Sequence, residues 1–142
     1  MKKILSFFCM LIACTNMAFG QVTISTSDLI GTKWQLLKDD GSCSSEYYEF
    51  TKKALIWHRS NNSTFSYPYY LSSNIPTKFD STKIGLNSKG CYYTKYNSKM
   101  DCFYCYAIKS FNKSTGKMVI KRVYPTEVIG LADTFTFVMM KK

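Results

Sequence analysis

From residue 21 onward, the chain is dominated by stretches in which apolar and polar residues alternate, with aromatic and β-branched residues repeating on one face. This period of two is typical of half-buried β-strands, and no stretch keeps a helical period over three or more turns. A capped helical turn is predicted at 27–31, before the first strand. Eight strands are predicted, at 33–38, 44–51, 54–59, 65–71, 89–96, 101–109, 117–124 and 133–141.

Short segments rich in Asp, Asn, Ser and Gly separate most of these strands, as at 39–42 and 112–116. Short connections favour antiparallel neighbours in an up-and-down order. The longest gap, 72–88, is interpreted as a structured loop. Because closing an eight-stranded sheet removes both exposed edges, the predicted fold is an all-β, eight-stranded antiparallel up-and-down barrel. A two-layered β-sandwich is the alternative, since it has a similar periodicity.

Residues 1–20 are typical of a secretory signal. Lys2 and Lys3 precede an apolar run that is too short to span a bilayer, and small residues precede Gln21. We therefore expect a signal peptide at 1–20 and a single barrel domain at 21–142, in the periplasm or secreted. The segment 11–14 also resembles a bacterial lipobox. In that alternative Cys14 is lipidated, and the protein is an outer-membrane lipoprotein that contacts the membrane through its anchor.

Several segments, taken in order, resemble a known family. Leu29–Leu36 contains a Gly followed closely by a Trp at the entry to the first strand, and five further segments follow it: Ser45–Phe50, Ile75–Gly85, Lys89–Tyr93, Tyr106–Ser110 and Asp133–Phe137. Together they are similar to the small exported lipocalin-like domains of Bacteroidota. The resemblance implies a calycin-type barrel that binds or carries a ligand, with Trp34 plugging one end.

The aromatic residues are the main candidates for function, since the chain holds 11 Tyr, 10 Phe and 2 Trp. Strand alternation places many of these rings on one face, which we expect to line the barrel. A filled core is one interpretation, while the abundance of Tyr favours a cavity in which hydroxyl groups face water or a ligand. The predicted ligand-binding residues are Trp34, Tyr48, Phe50, Trp57, Tyr67, Tyr69, Tyr104, Tyr106, Phe135 and Phe137.

The charge balance limits the classes of partner. The formal net charge of +10 falls to about +8 if Lys2 and Lys3 are removed with the leader. No basic cluster of five or more residues occurs, and no nucleic-acid-binding motif is present, so nucleic acid is not an expected partner. We expect a small hydrophobic ligand as the partner. An anionic envelope surface or a glycan is the alternative, bound by the outside of a filled barrel.

Four cysteines follow the leader, an even number that predicts disulfides in an oxidising compartment. They are Cys43, Cys91, Cys102 and Cys105. Residues three apart in a strand lie about 10 Å from each other, so Cys102 and Cys105 are not expected to pair. A hairpin through 97–99 favours Cys91 with Cys105 and Cys43 with Cys102, although a register slip would change this.

No set of residues suggests catalysis. His58 is the only histidine and has no nucleophile motif or second metal ligand beside it. Glu46 and Glu49 are three apart in a predicted strand and are expected to face opposite ways. We therefore expect a non-enzymatic protein with no catalytic residue, no metal site and no cofactor.

Overall fold

The computed structural model of the protein describes residues 21–141. The predicted signal segment 1–20 and the lipidation candidate Cys14 lie outside the described residues. The elements, in chain order, are β1 (Ile24–Ser25), α1 (Thr26–Leu29), β2 (Lys33–Leu37), β3 (Cys43–Phe50), β4 (Ala54–His58), β5 (Thr64–Ser72), a 3₁₀ turn (Ser81–Lys83), β6 (Lys89–Gly90), β7 (Tyr92–Asn97), β8 (Cys102–Asn112), β9 (Lys117–Tyr124) and β10 (Thr134–Met139).

Eight of these strands form a closed antiparallel barrel, in the order β2-β3-β4-β5-β7-β8-β9-β10, and β10 pairs back to β2. The predicted all-β class and the eight-stranded up-and-down barrel are thereby confirmed. The barrel strands are consecutive in the chain apart from β6, which pairs with β1 outside the barrel. Closure leaves no exposed strand edge in the barrel, which is the physical reason for preferring it to a sandwich.

The predicted strand 89–96 is divided in two. Gly90 passes so close to the backbone of Ser72 that a Cβ atom at Gly90 would overlap the Ser72 carbonyl. Lys89 and Gly90 then pair with Ser25 and Ile24, and the barrel strand begins only at Tyr92. A glycine at this position is required by close packing of two backbones.

The helical turn predicted at 27–31 is present as α1, shifted towards the N-terminus. Its cap is Ser25, whose backbone N–H and hydroxyl both donate to the Asp28 carboxylate at 2.9 Å. These bonds lower the pKa of Asp28. Leu29 at the end of α1 is buried in the core, and the chain then turns at Gly31, whose φ is +80°. The Gly31 N–H donates to the Phe50 carbonyl, which fixes α1 to the end of β3.

The two ends of the barrel differ in burial. The closed end carries α1 and the turn at 51–53, and the inner rings Trp34 and Tyr69 there are fully buried. The other end, which we call the mouth, carries the loops 38–42, 59–63, 98–101 and 125–133. Inner rings near the mouth are only half-buried: Trp57, Phe65, Tyr67 and Tyr104. The barrel interior is therefore accessible from the mouth.

The loop 73–88 covers part of the outside of the barrel. Its Phe79 lies between Tyr70 and Tyr96, with ring centroids 5.1 Å from each. The Asp80 backbone N–H donates to the Tyr70 hydroxyl at 3.2 Å, and the Asp80 side chain caps the 3₁₀ turn. Tyr70 and Cys105 are buried on the outer face beneath this cover, so the protein has a second, smaller packed layer outside the barrel.

Candidate functional site

The barrel encloses a cavity of about 80 Å³. Polar groups enter it from Tyr48, Tyr93, Tyr106 and Lys95, and the rest of its wall is apolar. This space holds several water molecules or one slender group, and it is smaller than the pockets of about 300–1,000 Å³ that enclose drug-sized ligands. The lining residues are Trp34, Leu36, Tyr48, Phe50, Leu55, Tyr93, Lys95, Tyr106, Met118, Ile120, Phe135 and Phe137.

The strand register determines which side chains reach the cavity. Trp34 lies opposite Tyr48, Phe50 opposite Leu55, and Met118 opposite Phe137, so each pair projects to the same side of the sheet. Phe50 packs edge-on against Tyr69 and Tyr93, with ring centroids 5.3 and 6.1 Å away. These edge-to-face contacts fix the ring orientations and leave the central space unfilled.

Trp34 forms the deep wall of the cavity. Its side chain is fully buried, and its Nε1 donates to the Thr32 hydroxyl at 2.7 Å. Its ring lies against Phe111 with centroids 5.8 Å apart. The indole therefore has a satisfied polar edge and a fixed position at the closed end.

Six of the ten predicted ligand-binding residues line the cavity: Trp34, Tyr48, Phe50, Tyr106, Phe135 and Phe137. Three others, Trp57, Tyr67 and Tyr104, lie nearer the mouth. Tyr69 lies towards the closed end, where its hydroxyl donates to the Thr51 carbonyl at 2.8 Å. The structure thus separates the predicted set into a central group, a mouth group and one structural tyrosine.

Six cavity residues were absent from the predicted set: the aliphatic or thioether side chains Leu36, Leu55, Met118 and Ile120, and the polar residues Tyr93 and Lys95. In the stretch 91–96 both alternating faces carry tyrosine, so periodicity alone does not show which face is buried. The strand register shows which face points into the barrel, since Tyr93 lies opposite Tyr106 and Lys95 lies opposite Tyr104. A lysine in the middle of an otherwise aromatic inner stripe is the signal that could have been noticed.

Lys95 projects into the barrel among tyrosine rings. Its Nζ lies 4.8 Å from the ring centroid of Tyr67, 5.5 Å from that of Tyr106 and 5.8 Å from that of Tyr104. Ring faces attract an ammonium ion, but they do not neutralise its charge. Burial lowers the pKa of Lys95 from 10.5 to about 8, so the side chain is still mostly protonated at neutral pH.

A groove opens beside Lys95. β5 and β7 pair only as far as Tyr69 and Lys95, and beyond this point the two strands separate towards the mouth. The groove between them has a volume of about 470 Å³ and is lined in part by Arg59, Phe65, Tyr67 and Lys99. Tyr67 borders the groove, Lys95 borders the cavity, and the Lys95 Nζ lies 4.8 Å from the centroid of the Tyr67 ring, so this pair lies between the two spaces.

The inner tyrosines stay neutral over a wide pH range. Burial raises the pKa of Tyr48 and of Tyr69 to about 12, and it also raises the pKa of Tyr93 and of Tyr106 well above the ordinary value. Neutral phenols both donate and accept hydrogen bonds. The cavity wall can therefore orient a polar group without carrying negative charge.

Two other charged residues near the mouth, Arg122 and Glu46, make hydrogen bonds within the protein. Arg122 is buried, and its Nε and Nη1 donate to the carbonyls of Pro125 and Ala132 at 3.1 and 2.9 Å, which ties down the mouth loop 125–133. The Glu46 carboxylate accepts a hydrogen bond from Trp57 Nε1 at 3.0 Å. Within residues 21–141 the one contact under 4 Å between a basic side chain and a carboxylate is that of His58 with Glu49, at 2.9 Å on the outside of the barrel, so Lys95 has no carboxylate partner there.

The prediction of disulfides is wrong, because Cys43, Cys91, Cys102 and Cys105 are all free. In the β7–β8 hairpin Cys105 lies opposite Thr94 and Cys102 opposite Asn97, so the register is shifted by three residues from the one that would place Cys91 beside Cys105. Cys43 lies opposite Leu37, on the other side of the barrel from β8. Burial raises the pKa of Cys105, which packs as a small apolar residue under the outer loop.

Within residues 21–141, no group of three or more His, Cys, Asp or Glu side chains is arranged to hold a metal ion. No helix in that range has the length and apolar character needed to cross a lipid bilayer. Neither a family model, nor a curated protein, nor a solved structure gives a significant match to this chain. The geometry of the barrel interior is therefore the main indication of function.

Proposed function

We propose that the protein is a non-enzymatic, lipocalin-like binding protein that takes up a small, largely hydrophobic ligand through the mouth of its barrel. The observation that supports this proposal is the unfilled cavity between Trp34 and the mouth, lined by apolar and aromatic side chains. Burial of apolar ligand surface there contributes roughly 25 cal/mol per Å². Apolar contacts alone do not fix how a ligand is oriented, so the tyrosine hydroxyls orient it through hydrogen bonds.

The cavity volume limits what can enter. About 80 Å³ accommodates the end of an alkyl chain or a similarly slender group, while the half-buried rings of Trp57, Tyr67 and Tyr104 contact the remainder of the ligand near the mouth. A bulky ring system requires movement of Phe135, Phe137 or other side chains of the wall. We therefore infer a slender ligand.

Titration with neutral apolar probes tests the proposal. Trp34 borders the cavity and Trp57 lies at the mouth, so 1-octanol is expected to change tryptophan emission in a saturable manner, and the bulkier N-phenyl-1-naphthylamine is expected to bind more weakly. Ile120→Phe fills the cavity wall and is expected to weaken 1-octanol binding about tenfold or more. Ile75→Phe makes the same change at an exposed site and is expected to leave binding unaltered. Absence of saturation with both probes would overturn the proposal.

A second function is favoured by the small size of the cavity. In this alternative the barrel is effectively a filled scaffold, and its basic outer surface binds a protein partner, a glycan or an anionic envelope surface. The Ile120→Phe variant separates the two functions, because partner binding by the outer surface should be insensitive to it. If the protein binds a partner but neither apolar probe, the scaffold function is favoured.

The expected location is the bacterial envelope or the exterior of the cell, as the leader at 1–20 suggests. The mass of the mature protein tests this, since cleavage before Gln21 gives a soluble chain. Incorporation of a fatty-acid analogue at Cys14 would instead identify an outer-membrane lipoprotein.

A further inference from the structure

We propose that the ligand is an acidic amphiphile, whose apolar tail enters the cavity and whose carboxylate lies against the ammonium group of Lys95. This inference rests on the proposed function and names the class of ligand. It follows from the position of Lys95, the one charged residue among those that line the aromatic cavity, beside the open groove between β5 and β7.

The first argument is the missing counter-charge. Lys95 is partly buried among tyrosine rings, and within residues 21–141 it makes no ion pair. A desolvated charge without a partner is unfavourable for folding, and burial of an apolar residue of the same length would avoid that penalty. A ligand carboxylate would supply the counter-charge that the chain itself does not provide.

The second argument is the distribution of charge around the groove. Arg59 lies over the rings of Trp57 and Phe65, 5.2 and 5.6 Å from their centroids, and Lys99 Nζ lies 3.9 Å from the Phe65 centroid. The Nε of Arg59 is buried without a hydrogen-bond partner in the described residues. These cations border the route to Lys95 and attract an anion towards it.

The third argument is polarity along the barrel axis. On the closed-end side of Lys95 the cavity wall is formed by side chains such as Trp34, Phe50, Leu55 and Met118. On the mouth side are Tyr67, Tyr104 and the basic groove. An amphiphile therefore enters tail first, and its headgroup stops at the single interior ammonium. One formal charge on Lys95 matches one carboxylate.

The experiment compares octanoate with 1-octanol, which share a chain and differ in headgroup, and includes octylammonium as the opposite charge. Binding to the full mature chain at pH 7 is measured by calorimetry and tryptophan emission. A charge-assisted pair in a partly buried site predicts that octanoate binds about 10- to 100-fold more tightly than 1-octanol. Octylammonium is expected to bind more weakly than both.

Lys95→Met retains the length of the side chain and removes the charge, so it is expected to abolish the preference for octanoate while preserving 1-octanol binding. The matched control is Lys121→Met, which removes an exposed charge from the outer face of β9 and should keep the preference. If the preference for octanoate over 1-octanol falls equally in both variants, the preference is a general effect of net charge, and the inference is overturned.

A second measurement does not depend on folding of the variant. Between pH 7 and pH 9.5 Lys95 loses its proton while octanoate stays ionised, so the preference of the wild-type protein should fall. The groups facing the ammonium are the phenols of Tyr67 and Tyr69 from β5, of Tyr93 from β7, and of Tyr104 and Tyr106 from β8. Burial raises the pKa of each of these phenols above its ordinary value of 10, so they lose their protons at higher pH than Lys95 does, and Arg122 lies opposite Tyr106.

The outcomes distinguish this inference from the proposed function. If octanoate and 1-octanol bind equally, the barrel binds apolar ligands, but the proposal of an acidic headgroup is wrong. If neither binds, both proposals fail. If octanoate is preferred and the preference disappears in Lys95→Met and at pH 9.5, the ligand class is supported.

Discussion

The indole Nε1 of Trp57 donates a hydrogen bond of 3.0 Å to the carboxylate of Glu46 across β3 and β4. The same carboxylate lies 3.4 Å from the backbone N–H of Ser60 in the mouth loop 59–63. The Trp57 ring also stacks between Tyr48 and Phe65, with centroids 6.1 and 5.9 Å away. Glu46 therefore fixes an aromatic ring at the mouth, and within residues 21–141 it makes no salt bridge with Lys95.

Removal of this acceptor is expected to destabilise the mouth. Glu46→Ala should lower the free energy of unfolding by about 1 kcal/mol, because the half-buried indole N–H loses its partner. Glu46→Gln keeps an acceptor oxygen at the same position and should recover most of the loss. Urea unfolding followed by circular dichroism measures both variants. Equal losses in the two would show that the charge of Glu46, rather than the hydrogen bond, matters.

Enlarging the cavity tests whether its volume limits the ligand. Leu55 is fully buried in the cavity wall, so Leu55→Ala should reduce the free energy of unfolding by about 2–5 kcal/mol. The added space should increase affinity for N-phenyl-1-naphthylamine relative to 1-octanol. Leu86→Ala, at an exposed position, should change neither quantity. A destabilised Leu55→Ala protein with unchanged probe selectivity would mean that ligands do not reach this depth.

Weakening the outer layer should lower the stability of the protein without changing ligand binding in the cavity. Phe79→Ala removes the ring between Tyr70 and Tyr96 and is expected to cost about 1–3 kcal/mol of stability, since Phe79 is only half-buried. Amide hydrogen exchange in the loop 73–88 should accelerate, while 1-octanol binding stays the same. Ile75→Ala, in the same loop but exposed, is the control. Loss of probe binding in Phe79→Ala would instead couple the loop to the interior.

Most of the barrel was predictable from the sequence because strand alternation and turn chemistry are local signals. The separators at 39–42 and 112–116 mark real strand ends, and the inner faces of β3, β4 and β10 follow from period two. The division of the strand at Gly90 was not predictable, because it depends on Ser72, which is distant in sequence and close only after folding. The cysteine pairing failed for the same reason, since the hairpin register depends on the length of its turn.

The candidate site was predictable in its aromatic part only. Rings on one face of a strand indicate an interior, so Trp34, Phe50 and Phe137 were found. Lys95 was not found, since a lysine within a strand normally indicates the solvent side. Its neighbours on both sides, Tyr69 and Tyr104, belong to other strands, and only the closed barrel brings them together.

The close approach at Gly90 gives a further prediction. Gly90→Ala places a methyl group against the Ser72 backbone, which cannot rotate away as a side chain could. The variant should lose about 1–3 kcal/mol of stability through overpacking. Gly41 lies in a solvent-exposed turn with a φ of +84°, and no heavy atom lies near the position of an added Cβ. Gly41→Ala therefore introduces backbone strain without steric overlap, and it serves as the comparison for Gly90→Ala. Thermal unfolding of the two variants measures these effects. An unchanged midpoint for Gly90→Ala would contradict the close approach of Gly90 to the Ser72 backbone.

The pH dependence of stability tests the burial of Lys95. Its folded-state pKa of about 8 lies below the value of about 10.4 in an unfolded chain, so the folded protein releases a proton first as pH rises. Between these values the unfolded state holds more protons, and Lys95 therefore makes stability increase with pH. Below pH 8 the ammonium is charged in both states, and its desolvation penalty is fully present.

Lys95→Met lacks this penalty at every pH. Its stability relative to the wild-type protein should therefore be greatest near pH 7 and should decline as pH rises from 8 to 10, where the wild-type lysine becomes neutral. Lys121→Met should show no such trend, because that side chain is exposed. Burial raises the pKa of the facing phenols above the ordinary value of 10, so they lose their protons at higher pH than Lys95 does. Denaturant unfolding at four pH values measures the difference, and a pH-independent offset would mean that Lys95 remains hydrated in the folded barrel.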